Sequence, residues 1–190
     1  FPTRRSSDLK EIPTSVLMDN IALVFQDNML FFDTIEENIR MGNKTATFED
    51  VKRAACAAQC HEFIEALPDG YQTLVGEGGT YLSGGEMQRL ALARAILKDA
   101  PVILLDEATA FADPENEGKI LEAFSHLIKG KTVLVIAHRL GTITNADHIL
   151  YLDKGMITEK GTHEELLALH GAYAHMWKTY NRAKEWIIDR

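Results

Sequence analysis

A short apolar run that ends in two carboxylates, Val102-Ile103-Leu104-Leu105-Asp106-Glu107, constrains the fold more than any other feature of the sequence. A continuous apolar run of this length is typical of a strand that is buried on both faces of a sheet. Two similar runs occupy residues 21–25, just before Gln26, and residues 132–137, just before His138. Because helical segments separate these runs, we expect an α/β fold with a mostly parallel sheet.

Helix signals fill the intervals between the predicted strands. Apolar residues at helical spacing predict one helix over residues 47–67, which the turn Pro68-Asp69-Gly70 ends. Strong helix formers fill residues 87–97, and residues 114–128 also have a helical pattern. Residues 149–159 are predicted to form a β-hairpin.

The C-terminal region is predicted to be helical. Thr162 and Glu165 have the spacing of a capping box, which starts a helix. Four large side chains then recur at helical spacing: Tyr173, Met176, Trp177 and Tyr180. This pattern favours packing into a core over a binding stripe.

Composition excludes several classes of protein. The chain has 190 residues, of which 46% are hydrophobic and 25% charged, so it fits one ordinary domain with a buried core. Its net charge of −8 argues against a nucleic-acid binder, which needs a basic face. No apolar run approaches the roughly 20 residues of a membrane-spanning helix, so we expect any membrane role to be exercised through a partner.

The cysteines of the chain, Cys56 and Cys60, lie four residues apart in the predicted helix over residues 47–67. A disulfide there would close only a very small loop and add little stability. Together with His61 they suggest a metal site, but a closed site needs about four ligands and no fourth is evident. We therefore expect small residues that pack one face of a helix, in a reducing compartment.

Polar side chains follow all of the predicted buried strands. Ligands of parallel sheets bind at the carboxyl ends of the strands, where Asp106 and Glu107 are expected to lie. In phosphoryl transfer the first carboxylate typically serves Mg²⁺ and the second can orient or activate water. Gln26 and His138 are expected at the same edge. The alternatives are solvated acids, a structural histidine and a loop glutamine.

A second candidate site is the sequence Ser83-Gly84-Gly85-Glu86. Ser83 is a good N-cap and Glu86 completes a capping box, so a helix is predicted to start here. The glycines leave backbone N–H groups uncovered at a helix N-terminus, which carries partial positive charge and attracts phosphate. The alternative is a well-capped helix without a ligand.

Taken together, the motifs resemble those of the ATP-binding cassette family, over residues 8–180. The motifs in question are the Q-loop Val24-Phe25-Gln26-Asp27, the signature Leu82-Ser83-Gly84-Gly85-Glu86, the Walker B sequence Val102-Ile103-Leu104-Leu105-Asp106-Glu107-Ala108-Thr109 and the H-loop Ile136-Ala137-His138-Arg139. Residues 73–79 resemble the X-loop of exporter-type cassettes. Asp113 matches the D-loop aspartate, although the residues before it depart from the family pattern.

The resemblance implies ATP hydrolysis with Mg²⁺ in the intact parent protein. Glu107 would act as base or water-orienting carboxylate, and His138 would contact the γ-phosphate. Asp106 and Gln26 would serve the magnesium shell, mostly through water. The catalysis would then consist of positioning and electrostatic stabilisation.

The resemblance also implies two protein partners and no nucleic acid. One is a second nucleotide-binding domain, in a homo- or heterodimer: Ser83, Gly84, Gly85 and Glu86 would reach its ATP, and Asp113 would link the two sites. The other is a transmembrane domain, to which Gln26 and the X-loop around Glu77 would pass the motion. The expected location is the cytoplasmic face of the cell membrane.

The implied fold is a P-loop NTPase-like core with a mostly parallel sheet and an inserted helical subdomain. The expected divisions are a helical subdomain over residues 47–98, a core over 99–170 and a helical tail over 171–190. Residues 1–9 are polar, basic and without periodicity, and we interpret them as a non-native scar that precedes a partial domain over 10–190.

The phosphate loop of the family, Gly-x-x-x-x-Gly-Lys-Ser/Thr, is missing from the sequence. Gly42-Asn43-Lys44-Thr45 lacks the adjacent glycine and lysine. Residues 125–132 end in Gly-Lys-Thr but start with serine, and they are predicted to run from a helix into a strand, which is the reverse of a phosphate loop. We therefore expect the true loop upstream of Leu9, and an isolated fragment without ATPase activity.

Two other classes of protein share some of these features. A soluble cassette ATPase that acts on DNA or ribosomes would interrupt the domain with a coiled coil or lack the histidine of the H-loop, whereas His138 is present and no sustained heptad occurs. A non-catalytic pseudo-cassette would have lost its catalytic groups, whereas Glu107 and His138 are both present. Transported substrate, direction of transport and homo- or heterodimer stay open.

Overall fold

The computed structural model describes residues 9–25, 29–106, 114–137 and 140–188. The chain divides into two compact units, Phe1–Ile136 and Ala137–Arg190. The helices are α1 (Thr14–Asp19), α2 (Ile35–Arg40), α3 (Phe48–Ala57), α4 (His61–Glu65), α5 (Gly84–Lys98), α6 (Pro114–Ile128), α7 (His163–Ala168) and α8 (Ala172–Ile188). The strands are β1 (Ile21–Val24), β2 (Asp33–Thr34), β3 (Leu74–Val75), β4 (Val102–Asp106), β5 (Thr132–Ile136), β6 (Ile149–Asp153) and β7 (Met156–Gly161).

A parallel sheet in the order β1-β4-β5 forms the centre of the first unit, as predicted. Val24 pairs with Leu105, and Asp106 pairs with Ile136, so the carboxyl ends of the strands lie side by side. Alternate residues of β4, Ile103 and Leu105, are buried in one core with apolar side chains of α5 and α6. Burial of a side chain such as that of Ile103 stabilises the unit by roughly 1.5–3 kcal/mol.

The helical part of the first unit is built around α3 and α5. Thr47 caps α3 through a capping box with Asp50, whose carboxylate also pairs with Arg53. The small buried residues Ala54 and Ala55 let α3 approach α5 closely. The helical pattern in this part of the sequence therefore reflects packing against a second helix.

One helix prediction was wrong. Residues 47–67 form α3 and α4 rather than a single helix, because Gln59 has a φ of +56° in the left-handed region. The backbone N–H of Gln59 donates to the carbonyl of Cys56 at 3.0 Å, and that of Cys60 donates to Ala55 at 2.8 Å, which closes α3. Neither glycine nor proline marks this break in the sequence.

The placement of the cysteines on one helix was wrong for the same reason. Cys56 belongs to α3 and is exposed, whereas Cys60 precedes α4 and is buried. Burial raises the pKa of the Cys60 thiol above its usual range. The hydrogen-bond partner of His61 is Tyr71, whose hydroxyl lies 3.0 Å from Nδ1 of the histidine.

The second unit consists of the predicted hairpin and two helices. β6 and β7 pair antiparallel around a turn in which Lys154 and Gly155 both have positive φ, as a tight hairpin turn requires. Thr162 and Glu165 form the predicted capping box at the start of α7. No helix in the described ranges of either unit is both long and apolar enough to cross a membrane.

The aromatic side chains of α8 pack into the core of the second unit, which confirms the prediction. Tyr173 is fully buried with Leu166, and Met176, Trp177 and Tyr180 pack against the same cluster. The hydroxyl of Tyr173 lies 2.8 Å from Nδ1 of His163. Tyr173 is therefore a core residue, and the other three side chains are partly buried against the same core.

Candidate nucleotide site

The carboxyl edge of the sheet carries the first part of the candidate site. Asp106 is the last residue of β4, the central strand, and its side chain is partly exposed. The neighbouring strand β5 ends opposite Asp106, and β1 ends opposite Leu105, immediately before the segments that contain His138 and Gln26. A partly exposed carboxylate at this edge suits Mg²⁺, which prefers oxygen ligands and keeps several waters.

Four of the predicted site residues, Gln26, Glu107, Asp113 and His138, lie outside the described residues. The structure therefore describes the strand ends from which three of them emerge, and the start of α6 that follows the fourth. Within the described ranges, no group of three or more His, Cys, Asp or Glu side chains is arranged to hold a metal ion.

The N-terminus of α5 carries the second part of the candidate site. Oγ of Ser83 accepts a hydrogen bond from the N–H of Glu86 at 3.3 Å, and the Glu86 carboxylate accepts from the N–H of Ser83 at 2.8 Å. The predicted capping box is therefore confirmed. Nothing lies within 4 Å of where a Cβ of Gly84 would stand, so this helix tip is open to a ligand.

The capping box leaves some donors of α5 available. The first four N–H groups of a helix have no partner inside it, and the box uses the N–H of Glu86. The carboxylate of Glu86 is folded back on Ser83, so Glu86 stabilises the start of the helix. The N–H groups of Gly84 and Gly85 precede it at the exposed tip.

The glycine-rich loop before α5 is shaped by its contact with the chain after β1. Gly76 has a φ of +90°, and a Cβ there would stand 2.6 Å from the backbone carbonyl of Phe31. Only glycine permits this approach. Because β2 and β3 also pair Asp33 with Val75, the segment that follows the Q-loop motif lies directly on the loop that precedes the signature motif.

A groove of about 370 Å³ is lined by Leu30, by the glycine-rich loop and by Met87 of α5. Large apolar side chains are exposed on the segments that line it or directly adjoin those segments in sequence, namely Met29 (71% exposed), Phe31 (51%), Phe32 (63%), Leu74 (49%) and Tyr81 (90%). We call this set the apolar patch. Exposed apolar patches mark interaction sites in soluble domains.

Sequence patterns did not predict the roles of Asn38 and Arg94, which connect residues 29–34 and α2 to α5. Asn38 is fully buried, and Arg94 extends from α5 to hydrogen-bond it. An asparagine in the middle of an amphipathic helix, with Ile35 and Ile39 on the same face, was the available signal, because Asn is a poor helix former.

A family model described as "ABC transporter" matches residues 3–110, which is more than half of the chain. The chain therefore belongs to the family of ABC transporters. This result agrees with the motifs on the strand ends and at the start of α5.

Similar proteins of known name are exporters. The chain is 50% identical over 174 residues to a putative multidrug export ATP-binding/permease protein of Staphylococcus aureus strain NCTC 8325 / PS 47, across 92% of this chain and 30% of that protein. The corresponding protein of the bovine strain RF122 / ET3-1 is 49% identical over the same share of each chain. The chain thus spans less than a third of the length of these relatives.

A solved structure supports the same fold. A bacterial Atm1-family ABC exporter with ATP bound superposes with a TM-score of 0.80 at 43% identity. The match covers 91% of this chain and 30% of that one. The α/β fold with a parallel sheet and added helices that the sequence predicted is therefore confirmed.

Proposed function

We propose that this chain is part of the nucleotide-binding domain of an exporter and that the complete transporter hydrolyses ATP to move a substrate across a membrane. The observation that carries the proposal is the position of Asp106 at the end of the central strand, between strand ends that lead to Gln26 and His138. The similarity to proteins named as exporters favours transport over a soluble cassette ATPase.

The proposed chemistry assigns one task to each side chain at the sheet edge. Glu107 orients or deprotonates the attacking water, and His138 contacts the γ-phosphate. Asp106 and Gln26 would hold Mg²⁺, mostly through water, and the bound ion would supply positive charge beside the phosphate oxygens. The reaction gains its rate from positioned charges and dipoles, which stabilise the transition state.

The second proposed site belongs to a partner's nucleotide. Ser83, Gly84 and Gly85 present N–H groups and a hydroxyl at the positive end of α5, and phosphate is favoured there. Glu86 supports this tip through its capping hydrogen bonds. Asp113 links the two sites. The partner is a second nucleotide-binding domain, identical or related.

The other proposed partner is a transmembrane domain, which places the chain at the cytoplasmic face of a membrane. The apolar patch and the groove beside it support this proposal, because they adjoin both the segment after Gln26 and the glycine-rich loop around Glu77. A helix of the transmembrane domain that fills the groove would bury the exposed aromatics and transmit the motion of both segments.

The decisive experiment replaces Glu107 by Gln in the complete transporter and measures ATP hydrolysis at saturating ATP and Mg²⁺. We expect turnover to fall on the order of 10²-fold or more, because a well-placed catalytic group is lost while size and hydrogen-bonding capacity are kept. Nucleotide binding, measured with a fluorescent ATP analogue, should persist.

Two controls make this experiment specific. Glu122→Gln changes an exposed glutamate of α6 and should leave turnover as in the wild type. The purified 190-residue chain, whose sequence has no Gly-x-x-x-x-Gly-Lys-Ser/Thr loop, should hydrolyse no ATP. Wild-type turnover in Glu107→Gln, or an equal loss in Glu122→Gln, would contradict the proposed role of Glu107.

A further inference from the structure

Asn38 is a buried polar side chain that holds a neighbouring segment by its backbone. Its Oδ1 accepts from the N–H of Phe31 at 2.9 Å, and its Nδ2 donates to the carbonyls of Phe31 and Thr34, both at 3.0 Å. Asn38 is 0% exposed, so water does not reach its amide. These hydrogen bonds therefore replace the ones that the amide makes with water in the unfolded chain. The amide thus reproduces a strand-like pairing with Phe31 and fixes the path of residues 29–34.

Arg94 reaches the same point from α5. Its Nε donates to the carbonyl of Asn38 at 2.9 Å, its Nη2 to Oδ1 of Asn38 at 3.3 Å, and its Nη1 to the carbonyl of Met29 at 3.4 Å. Burial lowers the pKa of Arg94, although an arginine stays charged at neutral pH. The planar guanidinium can satisfy these separate acceptors at once, which a lysine cannot do.

The opposite side of the same segment is fixed by Gly76. Its Cα lies so close to Phe31 that a Cβ would stand 2.6 Å from the backbone carbonyl. The backbone of Phe31 is therefore held between the amide of Asn38 and the glycine-rich loop. The segment after the Q-loop motif is consequently fixed to α5 and to the loop that precedes α5.

We propose that Asn38 and Arg94 are positioning residues that set the register of α5, and with it the phosphate-facing tip at Ser83, relative to the segment after Gln26. The inference rests on the proposed function, since the tip is assigned to a partner's ATP. When this link is broken, α5 can slide or tilt against residues 29–34. The N–H groups at its tip then miss the phosphates.

The test uses the complete transporter with Arg94→Lys, Asn38→Ala and the double variant, and measures the KM for ATP separately from kcat. We expect the KM of each single variant to rise about fivefold, the scale of one hydrogen bond lost between the tip of α5 and the phosphates. The double variant should resemble the single ones, because both break one link and their effects do not add. Loss of folded protein alone would lower kcat and leave the KM unchanged.

Arg53→Lys is the matched control, since Arg53 is a mostly exposed arginine of α3 that pairs only at the surface with Asp50. Its KM for ATP should equal that of the wild type. An unchanged KM in both Arg94→Lys and Asn38→Ala would overturn the proposal.

A second measurement separates this inference from the proposed function. Hydrogen exchange of the Phe31 amide, whose N–H donates to Asn38, should accelerate at least about tenfold in Asn38→Ala and Arg94→Lys, as one or two lost hydrogen bonds imply. If Glu107→Gln leaves turnover intact, the proposed function fails whatever the exchange shows. If turnover depends on Glu107 but exchange and KM stay as in the wild type, only the positioning role fails.

Discussion

Two glycines of the loop before α5 have nearly the same φ in different surroundings. Gly76 has a φ of +90° and Gly78 a φ of +86°. A Cβ on Gly76 would meet the backbone of Phe31 at 2.6 Å, whereas nothing lies within 4 Å of the same position on Gly78. Comparing substitutions at the two positions therefore separates the free-energy cost of positive φ from the free-energy cost of a steric clash.

Substitution of these glycines by alanine should therefore give unequal losses. Gly78→Ala should lower the free energy of unfolding by about 1 kcal/mol, the cost of positive φ for a residue with a Cβ. Gly76→Ala should lose roughly 1–3 kcal/mol more, because the Phe31 backbone must move away. Urea denaturation of the 190-residue chain measures both, and equal losses would show that the contact with Phe31 is absent in solution.

Residues differ in how far their role can be predicted from sequence. The capping box of Ser83 and Glu86 was predictable because both members lie within one helical turn. The hydrogen bonds between Asn38 and Arg94 join residues 56 positions apart, and no periodic pattern encodes them. Only the polar residue on the apolar face of α2 hints that a partner is required.

At the scale of elements, apolar runs predicted the positions of the parallel strands correctly. Residues 101–105 and 132–137 were predicted as buried strands and correspond to β4 and β5. The predicted burial holds for Ile103 and Leu105 of β4 and is wrong for β5, an edge strand of the described sheet in which Leu134 and Ile136 are 52% and 57% exposed. The pairing of β2 with β3 was not predictable, since two-residue strands carry no alternation. The break between α3 and α4 was missed because Gln59 is an unusual residue in the left-handed region.

Gln59 is therefore a position at which substitution can stabilise the connection between α3 and α4. Gln59→Gly should raise the free energy of unfolding by about 1 kcal/mol, since glycine adopts positive φ without the steric cost that a Cβ brings. Thermal or urea denaturation of the 190-residue chain would measure the gain.

Ala66→Gly provides the matched control for this substitution. Ala66 is the C-cap of α4 and has a φ of −77°, where glycine only adds freedom to the unfolded chain, so substitution by glycine should lower stability by roughly 0.5–1 kcal/mol. A loss of stability in Gln59→Gly would mean that the α3–α4 break differs in solution.

At the scale of the whole molecule, the apolar patch is one feature that the described fold does not explain. Phe32 and Tyr81 are 63% and 90% exposed, and Tyr81 lines the groove together with Leu30 and the glycine-rich loop. Exposed aromatics at the centre of an interface commonly contribute most of its binding free energy. In the proposed transporter this surface transmits motion between the nucleotide site and the transmembrane domain.

Phe32→Asp should therefore uncouple transport from hydrolysis in the complete transporter. An exposed side chain contributes little to the core, so the nucleotide site should keep at least about half of its ATPase activity, as surface substitutions usually do. Export should fall about tenfold or more, because a lost aromatic anchor and a newly buried charge each weaken docking by more than about 1.4 kcal/mol. Accumulation in inside-out vesicles of a substrate identified for the complete transporter, measured beside ATP hydrolysis, checks both values.

Leu169→Asp is the matched control for Phe32→Asp, since Leu169 is also 63% exposed but belongs to the second unit, at the end of α7. If exposure of an apolar side chain were enough to explain a loss of export, the two variants would behave alike. Under the docking proposal, only Phe32→Asp separates export from hydrolysis. A parallel loss of both activities in Phe32→Asp would instead place Phe32 in the folding core or the nucleotide site, and the apolar patch would lose its assignment to the transmembrane domain.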